Sequence, residues 1–205
     1  MLSTKLLAFG ITHLTDARYF AAWEADYLCF PVGPAGLPLE QFLAIREWVE
    51  GPVCVLEWGG DAGATVSPVE LESLGITHVL AGRADLSSAS FPGSVMVILH
   101  VPVAGYQSVE DVADQLEGTT GPVLLDFTAG GITYADLAAG SPYTIGELQR
   151  ALGERPAYLH IDLEAEDADS AAAVFHGLAL RGSSEENVGY KNFDDLDDLL
   201  EALEA

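Results

Sequence analysis

Asp126 is the residue whose surroundings speak most directly of chemistry. It follows the apolar run Val123-Leu124-Leu125, so its carboxyl is expected to be partly desolvated, which raises its pKa and suits it to donate a proton. The alternative is a carboxylate that caps the following loop by binding the amides around Gly130. Arg181 ends the run Leu178–Leu180 and leads into Gly182-Ser183-Ser184, a turn able to offer amides and hydroxyls to an anion at a helix N-terminus. Its alternative partner is Glu185 or Glu186. Arg83, after Val79-Leu80-Ala81-Gly82, is a second cation expected at the same end. His13, His78, His100, His160 and His176 scatter without metal-ligand spacing, and only His13 and His160 are placed to face a site. Cys29 and Cys54 lie in apolar runs and read as reduced core thiols, not as a disulfide framework or metal site. No nucleotide fingerprint, Walker loop, serine nucleophile elbow or zinc motif is present.

Such side chains need a frame. Eight apolar runs recur along the 205 residues: Leu6–Phe9, Tyr27–Pro31, Val53–Trp58, His78–Ala81, Val95–Val101, Val123–Phe127, Ala157–Ile161 and Leu178–Leu180. They are near-continuous rather than alternating, as strands covered on both faces are. Amphipathic stretches separate them: 16–25, Leu39–Val49, Val66–Leu74, Ser108–Leu116, Thr144–Leu152, Ala168–His176 and Phe193–Leu203. The connection from Asp85 to Gly93 is short and Ser-rich, and is expected to reduce to a turn. Alternating strands and helices at this length predict an α/β fold, a single-domain (β/α)8 TIM barrel spanning residues 1–205. An open doubly wound sheet is the alternative. It usually carries a Gly-rich turn after its first strand, and here that turn, Phe9-Gly10-Ile11-Thr12-His13, has one glycine.

Thirty-two acidic residues face eight basic ones, two of them lysines, for a net charge of −24. That field repels nucleic acid and anionic membranes. It also disfavours a multiply charged anionic substrate unless the site gathers its few cations. A solvated acidic surface suited to high salt is the plain reading of the rest. The acidic C-terminal stretch keeps leucines at 196, 199, 200 and 203, the spacing of a docked amphipathic helix. No apolar stretch approaches the roughly 18 residues of a membrane span, and the first residues carry no leader pattern, so a cytoplasmic protein is expected.

Three ordered stretches resemble phosphoribosylanthranilate isomerase, a small barrel enzyme of tryptophan synthesis. The first is Phe9-Gly10-Ile11-Thr12 with Asp16-Ala17 and Ala25-Asp26. The second is Leu124-Leu125-Asp126 with Gly130-Gly131. The third is Gly182-Ser183-Ser184-Glu185 with Gly189-Tyr190-Lys191. The resemblance covers essentially the whole chain and implies an Amadori rearrangement, in which a phosphorylated ribosylamine opens its ring and shifts a proton off C2. It assigns Asp126 as general acid, and Gly130, Gly131, Arg181, Gly182, Ser183 and Arg83 as substrate or phosphate contacts.

The departures are as specific as the matches. The family's base, a cysteine, falls at Phe9, which accepts no proton. The loop after the second strand reads Gly33-Pro34-Ala35-Gly36, where the family has an arginine. The seventh loop carries Asp162-Leu163-Glu164 in place of a glycine pair. The resemblance therefore implies an isomerase-like barrel with a lost or changed parent activity, Cys29 or a histidine being the available substitute bases. A non-catalytic binding barrel of the same descent is the alternative. The expected partner is a small-molecule metabolite, phosphorylated or not, bound by a monomer or homodimer.

Overall fold

The computed structural model describes residues 2–59, 65–182, 185–187, 190–191 and 193–204. Eight parallel strands close on themselves: β1 (Lys5–Phe9), β2 (Tyr27–Pro31), β3 (Val53–Trp58), β4 (His78–Gly82), β5 (Met96–Pro102), β6 (Val123–Asp126), β7 (Ala157–His160) and β8 (Gly177–Arg181). The ring is completed by β8 against β1, with Arg181 level with Phe9. The expected barrel is present. A short antiparallel pair, β9 (Glu185–Asn187) and β10 (Tyr190–Lys191), follows the last barrel strand.

The helical layer is formed by α1 (Leu14–Ala22), α2 (Leu39–Glu47), α3 (Glu70–Ser73), α4 (Arg83–Ser88), α5 (Val109–Leu116), α6 (Tyr134–Ala138), α7 (Ile145–Leu152), α8 (Ala168–Ala172) and α9 (Asp194–Ala202). Several open on reciprocal caps. Ser108 with Asp111, Thr133 with Asp136, and Thr144 with Glu147 each exchange side-chain and backbone hydrogen bonds, satisfying amides that a first turn leaves unpaired. Two expectations need correction. The Asp85–Gly93 connection is not a bare turn, because Arg83–Ser88 forms a short helix whose Asp85 carboxylate accepts from the Gly82 amide. The helix α6 and the 3-10 turn Thr128–Gly130 before it were not expected, their polar and glycine-rich sequence hiding a Thr133 cap.

Residues pointing out of the strands pack against the helices, with Phe20, Phe30, Phe42 and Leu71 fully buried among them. Residues pointing in form a separate cluster on the barrel axis. In a staggered barrel the inward side chains of alternate strands share a layer. Leu7, Val55, Ile98 and Tyr158 make one layer; Cys29, Leu80, Leu124 and Ala179 lie above it. Both are apolar or nearly so. The same parity carried toward the C-terminal ends brings up Phe9, Glu57, His100 and His160, and above them Pro31, Gly82, Asp126 and Arg181. The apolar filling stops there, and ionisable groups take over.

Candidate active site at the barrel mouth

Phe9 is the hub of this upper layer, 4% exposed. His160 meets its ring edge-on at 4.7 Å between centroids, His100 lies tilted at 6.3 Å, and the Arg181 guanidinium sits over it at 5.7 Å. The backbone beyond Phe9 turns through Gly10, which has φ +66° and would bring any Cβ to 3.3 Å from Arg181 Nε. Glycine there lets the guanidinium cross the mouth.

Asp126 ends β6 with a side chain 11% exposed, and its Oδ2 lies 3.4 Å from Nε2 of His100, which is 30% exposed. Its Oδ1 accepts from the Thr128 hydroxyl at 2.6 Å and from the Thr128 amide at 3.1 Å. Burial alone would raise its pKa, the effect expected from sequence. The hydrogen bonds from His100 and Thr128 and the nearby His160 outweigh it, lowering the pKa to about 2. Asp126 is thus an ionised carboxylate at neutral pH, and the expectation of a protonated acid is corrected.

This shift carries a consequence for acid stability. A carboxylate with a depressed folded-state pKa stabilises the native state above the unfolded value and loses that contribution as pH falls. The contribution, about 2 kcal/mol, should be complete at neutral pH and disappear as pH drops from 3.8 through about 2. Chemical denaturation of native and Asp126→Asn protein across that range should show the two curves converging at the acid end.

His160 ends β7 and directs Nδ1 at the Ala179 carbonyl, 3.0 Å away. A carbonyl only accepts, so Nδ1 bears the proton and Nε2 is left as the acceptor. Burial lowers its pKa, and Arg181 and His100 add to the effect, so the ring is neutral at pH 7. Glu57 rises from β3 into the same layer, largely buried. Its Oε1 accepts the Gly10 amide at 2.5 Å, and burial raises its pKa, with the Gly10 hydrogen bond, His100 and Arg181 partly opposing.

The remaining expected site residues take different places. Gly130 donates its amide to Phe127, and a Cβ there would stand 2.6 Å from the Val103 carbonyl; Gly131 adopts φ +63° and donates to Thr128. These glycines fold the sixth loop against the fifth, and both amides are already engaged. The Gly182 amide bonds the Phe9 carbonyl at 2.9 Å, so it too is unavailable to an anion. Arg83 opens α4 and gives Nη1 to the Glu117 carbonyl at 2.6 Å, a charge at the end of α5 and not at the mouth. Ser183 lies outside the described residues, as do the side chains of Glu185 and Glu186. Arg181 is at the mouth, as expected. Cys29 is buried in the apolar layer, where burial holds its thiol well above the ordinary range. His13 is exposed ahead of α1.

Sequence reading passed over Glu57 and gave His100 no role. The signal was parity. Val53, Val55 and Glu57 share one face of β3, as Met96, Ile98 and His100 share one face of β5, so an ionisable residue at the top of either run points into the barrel. Among the described residues, no group of three or more histidine, cysteine or carboxylate side chains is arranged to hold a metal ion. No described helix is long and apolar enough to cross a membrane.

No family model matches the sequence, and no curated protein matches it significantly. Solved structures do match. Phosphoribosyl anthranilate isomerase from Thermus thermophilus is 22% identical, with a TM-score of 0.68 and 98% of each chain covered. The isomerase from Pyrococcus furiosus is 15% identical, with a TM-score of 0.64 over 98% of each chain. Tryptophan synthase from M. tuberculosis matches at 13% identity and a TM-score of 0.61, over 98% of this chain and 94% of the other. The shared property is the barrel fold, common here to enzymes of different reactions, so activity has to be argued from the mouth.

Proposed function

We propose that the chain is an acid–base isomerase acting at the barrel mouth on a small, sugar-like metabolite, a relative of the phosphoribosylanthranilate isomerases with a changed parent activity. The observation that carries this reading is the upper layer itself. Three of its four inward side chains, Glu57, His100 and His160, are ionisable, and Asp126 and Arg181 stand above them. Burying such groups opposes folding, and the apolar layers below supply all that closure of the barrel needs.

In this reading Asp126 holds His100 in place, and His100 delivers and recovers the proton on a substrate heteroatom. Arg181 takes the substrate's anionic end, and the Phe9 ring is the floor on which it lies. The changed activity follows from the charges present. Among the cations whose side chains are described, Arg181 is the one at the mouth: Arg46, Arg83, Arg150 and Arg155 all hold backbone carbonyls in the outer layer, Lys5 pairs with Asp26, and Arg18 lies over Trp48. A single guanidinium suits a singly charged group better than a phosphate dianion. Such an enzyme would work in the cytoplasm, where its free thiols stay reduced, as a monomer or homodimer.

The test is hydrogen exchange. In deuterated water the native protein is expected to exchange the C2 hydrogen of at least one of phosphoribosylanthranilate, ribose 5-phosphate and ribose, followed by proton NMR. The buried Phe9 ring favours one rival, a barrel that binds without turnover. Exchange with none of the three would leave that rival standing and remove the isomerase.

A further inference from the structure

We propose that Glu57 is the base that takes the proton from the substrate carbon, so that the role vacated on β1 at Phe9 has moved to β3. The inference rests on the isomerase reading above and supplies the part that reading lacks.

Position comes first. Glu57 and Phe9 occupy adjacent places in the same layer, on successive odd-numbered strands. A base on β3 therefore reaches the space above the Phe9 ring from the side instead of from beneath it. The residues that would crowd this approach are small or neutral. Pro31 and Gly82 stand in the layer above, on the strands flanking β3. Beside them a pocket of about 300 Å³ opens, walled by Pro31, Val32, Gly33, Ala35, Gly36 and Gly59, with Glu57 the one ionisable side chain among its described lining residues. The uncharged second loop, a deficit if a phosphate must bind there, is what a proton-abstracting carboxylate requires: neutral surroundings that leave it basic.

The way the carboxylate is held points in the same direction. Oε1 is fixed by the Gly10 amide, a neutral donor that orients the group without the pull of a close ion pair. Asp126 is held by an imidazole and by two donors from Thr128. The two carboxylates thus stand in different settings, Glu57 on a single neutral amide and Asp126 between an imidazole and the Thr128 turn. His160 is the competing base. Its Nε2 is an acceptor, but burial and the neighbouring Arg181 make it a weak one, and Phe9 packs against its ring.

The step balances within the substrate. Glu57 takes the proton at C2, the C2–H electron pair becomes the C1–C2 double bond, and the C1 heteroatom takes the displaced pair together with a proton from His100. Glu57 then returns its proton to C1 as the C2 hydroxyl becomes a carbonyl, its proton going back to His100. C1 is reduced, C2 is oxidised, and no outside reactant enters.

Glu57→Gln keeps the acceptor for Gly10 and removes the base. It is expected to slow exchange of the responsive probe by on the order of 10²–10⁴-fold. Its thermal midpoint should stay level or rise, because a desolvated carboxylate is gone; a purely structural residue would lower it. Glu57→Asp should keep part of the rate. The native rate should also climb with pH as Glu57 loses its proton, a limb that Glu57→Gln should lack. Exchange by Glu57→Gln within a few-fold of native overturns the assignment, and if His160→Gln then abolishes exchange, the base is His160. Should the native protein exchange none of the probes, it is the isomerase reading that fails, and this assignment falls with it.

Discussion

Asp126→Asn protein should exchange its probe on the order of 10²–10⁴-fold more slowly than native protein, while also unfolding about 2 kcal/mol more easily at neutral pH. The two effects share one cause. Asparagine preserves the volume of the side chain and the hydrogen bonds from Thr128, so the sixth loop should keep its course. What disappears is the negative charge 3.4 Å from His100 Nε2, and with it the ionic partner that holds the ring. Exchange should fall at every pH between 5 and 8, because the donor and not the base is lost. A variant that folds normally and exchanges at the native rate would remove Asp126 from the mechanism and leave it as a cap of the Thr128 turn.

A second large effect is expected far from the mouth. Gly177→Ala should cost about 3 kcal/mol, lowering the thermal midpoint by roughly 6–12 °C for a chain of this size. Gly177 opens β8 pointing into the barrel, where a Cβ would stand 2.5 Å from the Lys5 carbonyl and 2.7 Å from the Tyr158 ring. The carbonyl belongs to β1, the strand that closes the barrel against β8, so it cannot retreat without loosening that seam. Tyr158 is wedged between Tyr27 and His176, at 5.8 and 5.4 Å between centroids. Calorimetry on this variant, with exchange measured below its transition, should find activity little changed. An unaltered midpoint would mean that the seam is more yielding than its packing indicates.

The barrel was legible because its signal is repeated: eight apolar runs, separated by helical patterns, each pointing to the same answer. Elements missed or misjudged were those with few apolar residues, such as α4 and α6, which are held by caps rather than by a hydrophobic stripe. The site was legible in part. The positions of Asp126 and Arg181 at the barrel mouth were readable because each stands at the end of a run. The electrostatics of Asp126 were not, because its pKa is decided by His100, a residue 26 positions away on a neighbouring strand. Glu57 was hidden by its own setting, Val53-Cys54-Val55-Leu56-Glu57-Trp58, in which one polar residue hardly alters an apolar segment. At Gly130 and Gly182 the sequence does not say whether a glycine serves the close approach of two backbones or of a ligand; the structure shows backbone approaches at both.

The dispersal of cations has a kinetic side. With Arg46, Arg83, Arg150 and Arg155 fastened to carbonyls of the outer layer, and with a net charge of −24, the surrounding field gives an anion no funnel toward Arg181. A negatively charged solute must diffuse in against repulsion until it is within about one Debye length of the guanidinium, roughly 8–10 Å in ordinary salt. Added salt would therefore hasten the arrival of such a ligand, the reverse of what steering enzymes show, whereas an uncharged sugar would arrive at the same rate in dilute buffer and in brine.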